Sequence, residues 1–408
     1  MTEQRRFSLD KAPFIRRADN LKPLSVGSTS VIMRDFIISL VPLIIFAWVK
    51  NGLLPYLNDN PALRPSFLEM LYPLLFILIG GFFSYALEAL YYSLFYKLRG
   101  DELLTKLSTS YAVIPGLLLG MILPHNTPIW TLFIGCLFAT VIAKLLFGGF
   151  GHNIFNPALI GYLFVIVAYL GVIQDRGGFL NLVEVDGVTS ATPLGHFASN
   201  PGASIDELIA PYGSIWNLFV GLNPGSGAET SALLCILAFA YLTVRKVIDW
   251  RIPVVYIGTF FVLVYIIGAF NGYALDLRYA LFHLFTGGLF FGAVFMATEP
   301  VTGPKTPNGR ILYAISLGVL TVLFRFVGAF PEGVASAIIT MNLFAILLDR
   351  ICAKLRVSDN RTRIIVTYAV FALFMVLISV YSISKSVFKN NDKAAIAEIA
   401  EVTVYDNN

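Results

Sequence analysis

The sequence predicts an all-α integral membrane protein, and three observations predict it. Of 408 residues, 57% are hydrophobic and 13% charged, a balance that no aqueous core of this size could bury. Apolar runs long enough to cross hydrocarbon recur from end to end, broken by Pro, Gly and charge clusters. Lys and Arg gather on alternate connections, as expected of a chain threaded back and forth through a bilayer.

Eleven such runs are present, at residues 36–54, 71–95, 110–124, 129–147, 155–173, 229–244, 253–272, 279–297, 311–329, 334–349 and 364–384. The segment before the first carries Arg5, Arg6, Lys11, Arg16, Arg17 and Lys22 and lacks a signal-peptide pattern. With that arm inside, 20 of the 29 Lys and Arg residues fall inside and six outside, while Lys50, Lys144 and Arg325 sit at or within helix ends. The net charge of +4 therefore reflects orientation, not nucleic-acid binding. Cys136, Cys235 and Cys352 lie in separate spans without a CxxC, and His125, His152, His196 and His283 show no metal-ligand spacing, so no metal site is expected.

The first ten runs read as two five-helix copies. Gly116-Leu-Leu-Leu-Gly120, Pro124, Thr127-Pro128 and a Gly-rich segment 147–151 recur in order as Gly288-Leu-Phe-Phe-Gly292, Pro300, Thr306-Pro307 and 326–333. An odd number of spans per copy makes the repeats inverted, and matched Pro and Gly breaks point to discontinuous helices with a site between the repeats. The glycines alone are also what plain helix packing uses. The expected organisation is a cytoplasmic arm at 1–35, a first repeat at 36–173, an outside loop at 174–228, a second repeat at 229–356, and an extra transmembrane helix with an outside tail at 357–408. A 55-residue connection is far above the usual length, which marks the loop as functional or disordered.

Within that loop lies Asp186-Gly-Val-Thr-Ser190-Ala-Thr192-Pro-Leu194. Pro193 pushes Thr192 toward an extended backbone, holding its hydroxyl available; on these residues alone it remains an ordinary loop threonine. The stretch resembles the flavinylation motif of the RnfD family and of its homologue in the sodium-pumping NADH:quinone oxidoreductase. Phe147–Gly161, with Asn-Ile-Phe-Asn-Pro-Ala, is similar to the family's Gly-rich signature, and Asn223–Ser231, Phe295–Arg310 and Pro331–Val334 also match. The likeness runs over about residues 12–355, with residues 53–70 as an apparent insertion.

The resemblance implies a subunit of a bacterial cytoplasmic (inner) membrane complex that passes electrons between ferredoxin and NAD and moves Na+ or H+. It implies FMN bound as a phosphoester to Thr192, beside Ser190, on the outer face, attached from FAD by a flavin transferase, with the other Rnf subunits (A, B, C, E and G) as partners. Asn223, Ser226 and Glu229 either border this flavin or cap the sixth span. Asn153 and Asn156 either contact a second, noncovalent flavin such as riboflavin or satisfy backbone groups freed at a helix break. Carboxylates at membrane depth are functional candidates by default, which selects Glu88 and Asp349 for an ion path, with a buried Glu88–Lys144 pair as the alternative for Glu88. The rival reading from another class is a secondary transporter or channel on the same inverted repeat, without a redox role.

Overall fold

In hydrocarbon every backbone N–H and C=O must be satisfied within its own segment, so the apolar runs must become helices. The computed structural model describes residues 29–58, 64–176, 192–200, 202–273, 276–328, 333–357 and 361–406. Among them every regular element is a helix and no strand occurs. Helices α1 (Thr29–Tyr56) and α2 (Phe67–Phe95) are followed by a pair bent by 48°, α3 (Gly100–Ser110) and α4 (Ile114–Ile122), then α5 (Ile129–Leu145) and α6 (Pro157–Gln174). Three short helices come next: α7 (Pro193–Ser199), α8 (Ile205–Ile209) and α9 (Ile215–Val220). The second set is α10 (Ala232–Val244), α11 (Arg251–Phe270), a pair bent by 65° made of α12 (Leu277–Phe285) and α13 (Leu289–Met296), α14 (Pro307–Phe326) and α15 (Val334–Val357). The last helix, α16, spans Arg361–Asp406.

Seven described helices are long and apolar enough to cross a membrane, and nine spans result if each bent pair counts as one. The shorter apolar helices α5 and α10 occupy the remaining two apolar runs of the sequence. The bent pair is the third member of each set. In the first, Tyr111 ends α3 with a left-handed φ of 52° and Pro115 opens α4; in the second, Gly287 at φ 71° stands between α12 and α13.

The first bend thus falls ahead of Gly116, and α4 ends at Ile122, close to Pro124 where the third apolar run ends, with α5 starting after Thr127-Pro128. The paired glycines serve packing. A Cβ on Gly116 would run into the carbonyl of Gly80 on α2, and one on Gly120 would meet the backbone of Ile77 at 2.9 Å, so these glycines bring α4 against α2. Three stretches of wider, i→i+5 turns, Val49–Leu53, Phe138–Leu145 and Gly292–Met296, re-aim side chains inward. They bury Lys50 and Asn51, Lys144, and Phe295 and Met296 respectively.

One contiguous core runs from Phe36 of α1 to Leu348 of α15 and includes Leu208, Ile209, Tyr212 and Leu218 of the short helices and their links. The segment read as a loop is therefore folded onto the bundle from Thr192 onward. Its α8 begins with a capping box, Ser204 with Glu207, which the Ser-x-x-Glu spacing encodes. The C-terminal tail is also helical: α16 continues past residue 384 to Asp406, through the helix-forming stretch Ala394-Ala-Ile-Ala-Glu-Ile-Ala400.

Candidate functional site

Thr192 is the N-cap of α7, with φ −52° and ψ 150°, and its Oγ1 accepts from the amide of Gly195 at 3.1 Å. Pro193 fits the first helical position because no intrahelical partner exists there for an N–H. The cap uses a lone pair of the oxygen, so the O–H remains available for esterification. Thr192 is half-buried and lines a cleft with Leu194, Asn223, Gly225, Glu229, Thr230 and Gly287. Ser190 lies outside the described residues.

The cleft joins three parts of the chain. Ser226 donates to a carboxylate oxygen of Glu229, and that carboxylate fills the place where a Cβ on Gly288 would stand. Asn223 donates from Nδ2 to the carbonyl of Pro224 at 3.2 Å, while its buried Oδ1 accepts from no partner among the described residues. The cap of α10 is Ser231, whose Oγ accepts from Leu234 N at 3.3 Å, so Asn223, Ser226 and Glu229 are not the capping groups there.

Two residues that sequence reading left at helix ends stand behind this cleft. Lys50, 5% exposed, donates from Nζ to the Asn223 carbonyl at 3.0 Å and to Thr230 Oγ1 at 2.7 Å. Arg325, 7% exposed, donates from Nη1 to the carbonyl of His283 at 2.5 Å and lies 4.7 Å from the centre of the Phe260 ring. An ionisable group inside an apolar run is the signal that marks them.

A second cavity opens at the opposite end of the bundle, between the two sets of helices. Asn153, Asn156 and Glu299 line it with Phe36, Tyr111, Phe150 and Phe295. Asn156 caps α6, accepting from Leu159 N at 3.4 Å, and donates to the Met296 carbonyl at 3.3 Å. Asn153 donates to Phe155 O at 3.3 Å and to Glu299 Oε1 at 3.0 Å. Both asparagines therefore satisfy local groups and also tie the first set to the second. Burial pushes the Glu299 carboxyl above its ordinary range, against hydrogen bonds from Thr302 and Asn153.

Residues 11–358 match the family described as NQR2, RnfD, RnfE. The chain belongs to that family. The D component of the proton-translocating ferredoxin:NAD(+) oxidoreductase complex of Clostridium ljungdahlii is 39% identical over 251 residues, which cover 61% of this chain and 75% of the relative. Its counterpart in the Na(+)-translocating ferredoxin:NAD(+) oxidoreductase complex of Acetobacterium woodii is 34% identical over 241 residues, covering 59% and 70%. The B component of the Na(+)-translocating NADH-quinone reductase of Chromohalobacter salexigens is 36% identical over 254 residues, covering 61% and 60%.

The residues of both cavities lie within the stretch that matches the NQR2, RnfD, RnfE family, and α16 begins beyond it. Neither carboxylate selected for an ion path lines these cavities, although Ser110 and Lys144, which bond Glu88, line the second. Glu88 is fully buried and accepts from Lys144 Nζ at 2.8 Å and from the Ser110 hydroxyl. Asp349 accepts from Lys305 N at 2.7 Å, Thr306 N at 2.8 Å and Thr306 Oγ1 at 2.7 Å, fastening α15 to the start of α14.

Proposed function

We propose that this chain is the flavin-carrying membrane subunit of a redox-driven Na+ or H+ pump, relaying electrons between ferredoxin and NAD within an Rnf-type complex. Membership of the NQR2, RnfD, RnfE family supports the ion-translocating oxidoreductase reading, and relatives named for proton and for sodium translocation are both similar to it. The observation that carries the flavin assignment is Thr192 at the rim of a cleft with Asn223, Gly225, Glu229 and Gly287. The residues fit FMN as a phosphoester at this position: the hydroxyl is accessible, glycines floor the cleft, and Asn223 Oδ1 awaits a donor. FMN held there supplies reversible electron transfer, and the chain's part is to anchor and orient it.

The inner cavity suits a second, noncovalent flavin such as riboflavin, with the aromatic walls of Tyr111, Phe150 and Phe295 for its ring and Asn153 and Asn156 for its polar edge. Bends at the third member of each five-helix set support two inverted repeats with α16 as an added span. The Lys and Arg asymmetry supports an inside N-terminus in a bacterial cytoplasmic membrane and an outside Thr192, and ion pairs support the threading by joining connections that it puts on one side. Asp35 meets Arg245 at 2.8 Å and Asp249 meets Arg310 at 2.5 Å, both pairs on the inner side of that threading, and Asp206 meets Arg278 at 2.6 Å on the outer side. The partners are then the other Rnf subunits (A, B, C, E and G), and a flavin transferase for maturation.

The test is intact-protein mass spectrometry with in-gel flavin fluorescence on chain co-expressed with its transferase. Thr192→Asn retains an N-cap but has no hydroxyl to esterify, so it separates loss of attachment from loss of α7. An FMN-sized mass in the wild type, absent from the variant, supports the reading. A flavin-free wild type made with an active transferase would return the chain to the transporter reading.

A further inference from the structure

A groove of about 370 Å³ opens on the flank of the bundle between α10, α11 and the bent pair α12–α13, apart from both flavin cavities, and every residue that lines it is apolar. Leu284, just before the 65° bend, and Phe290 and Val294, after it, are buried at its floor. Ile236 of α10 and Val254 and Gly258 of α11 are exposed at its rim. A Cβ built on Gly258 meets nothing within 4 Å, so this glycine serves no close helix contact and its missing side chain deepens the groove instead.

One end of the groove carries charge. Trp250, Val254 and Gly258 stand at i, i+4 and i+8, which puts the exposed indole on the groove's stripe of α11, at the helix start. The Arg251 guanidinium lies 5.7 Å from the centre of that indole. Lys246 is exposed and stands two helical turns beyond Phe239 of the lining. Its φ of 57° is left-handed, at the place after a helix where glycine is favoured, so a lysine is held there against its backbone preference. This end lies on the side that the proposed threading puts inside.

We infer that the groove seats one anionic phospholipid of the inner leaflet, with an acyl chain along the apolar floor and the headgroup phosphate at Lys246 and Arg251. Charge decides the occupant. Basic groups at the end of a gap between spans match a headgroup phosphate, and a tryptophan beside them marks the headgroup level. The floor has a consequence for the inner cavity, because α13 presents Val294 to the groove and Phe295 to that cavity. A bound lipid thus braces one cavity wall from behind. The seat is independent of the flavin assignments.

The test is native mass spectrometry of the full chain in detergent, titrated with phosphatidylglycerol and with phosphatidylcholine of identical acyl chains. Wild type should hold one phosphatidylglycerol about fivefold more tightly than phosphatidylcholine, the scale of one basic residue at an anionic surface. Lys246→Gln should remove most of that preference and leave phosphatidylcholine unchanged. Gly258→Phe, which fills open space, should abolish retention of either lipid, while Gly171→Phe, equally unhindered but outside the lining, should not. Lys246→Gln alters only the surface, so it decides the matter even if Gly258→Phe lowers the yield of folded chain. Equal retention of the two lipids by wild type overturns the seat, as does a Gly258→Phe chain that keeps its phosphatidylglycerol. If that variant keeps its lipid yet blocks assembly with partner subunits, the groove belongs to a partner's helix instead.

Discussion

The ammonium of Lys144 stands 2.8 Å from Oε2 of Glu88 although 56 residues separate them, and their side chains are 3% and 0% exposed. The pair closes α5 against α2, with the Ser110 carbonyl accepting a second bond from Lys144 at 2.7 Å. Removing one partner leaves a buried charge unmatched, which costs about 3–5 kcal/mol, whereas replacing both is close to neutral. Lys144→Met should therefore destabilise the chain strongly, and the Glu88→Gln, Lys144→Met double variant should recover most of the loss in a thermal-unfolding assay. If Glu88→Gln abolished ion transport in the assembled complex without any change in stability, Glu88 would instead belong to the ion path.

Close approach of α2 and α4 makes a second expectation. A methyl on Gly116 has no space because the Gly80 carbonyl occupies it. Gly116→Ala should lower stability by roughly 1–3 kcal/mol, the usual range for overpacking. Gly171→Ala, where a Cβ meets nothing within 4 Å, is the control and should be almost silent.

Acid should loosen the inner face at Asp249. Burial pushes this carboxyl up, but the Arg251 amide at 2.9 Å and the Arg310 guanidinium at 2.5 Å outweigh it and hold it below the ordinary carboxylate range. A group depressed on folding stabilises above its unfolded value, near about 3.9, and loses that contribution as pH falls through the lower folded value. Thermal stability should drop below about pH 4, and Asp249→Asn should flatten that part of the profile. An unchanged profile in the variant would show that other carboxylates govern the acid limb.

Truncation after Val357 tests how far α16 matters to the site. Its Val366, Val370, Leu373, Leu377 and Val380 side chains are more than half exposed, and no residue of either cavity belongs to it. The shortened chain should insert and be flavinylated like the full one, read by the same mass and fluorescence measurement. Loss of flavin on truncation would mean that α16 holds the bundle through its contacts with α11 and α14.

Much of the fold was legible because hydrophobic length is a local property. Each apolar run falls on a helix or a bent pair, and the Pro and Gly signals marked the third member of each set as irregular. The break after Pro124 was read from the sequence, but the bend ahead of Gly116 was not, and Gly116 itself serves packing against Gly80, a contact between elements. The short helices after Thr192 were missed although Ser204-x-x-Glu207 encodes a cap, because a polar composition reads as loop when the core that Leu208 and Leu218 join is not in view. Among site candidates, Thr192, Asn223 and Glu229 meet at one cleft, while Glu88 and Asp349 are engaged in fastening helices.

By itself the sequence determined an all-helical membrane chain with a threonine held before proline, since run length, charge asymmetry and a dipeptide's backbone preference act within a few residues. Only the tertiary structure decided what stands around that threonine. Lys50, Glu229, Gly287 and Arg325 reach the cleft or its walls from elements far apart in the chain, and no local pattern states which of them will meet. Their meeting follows from packing: the glycines allow the backbones to close, and burial then obliges each charge to find a partner across the bundle.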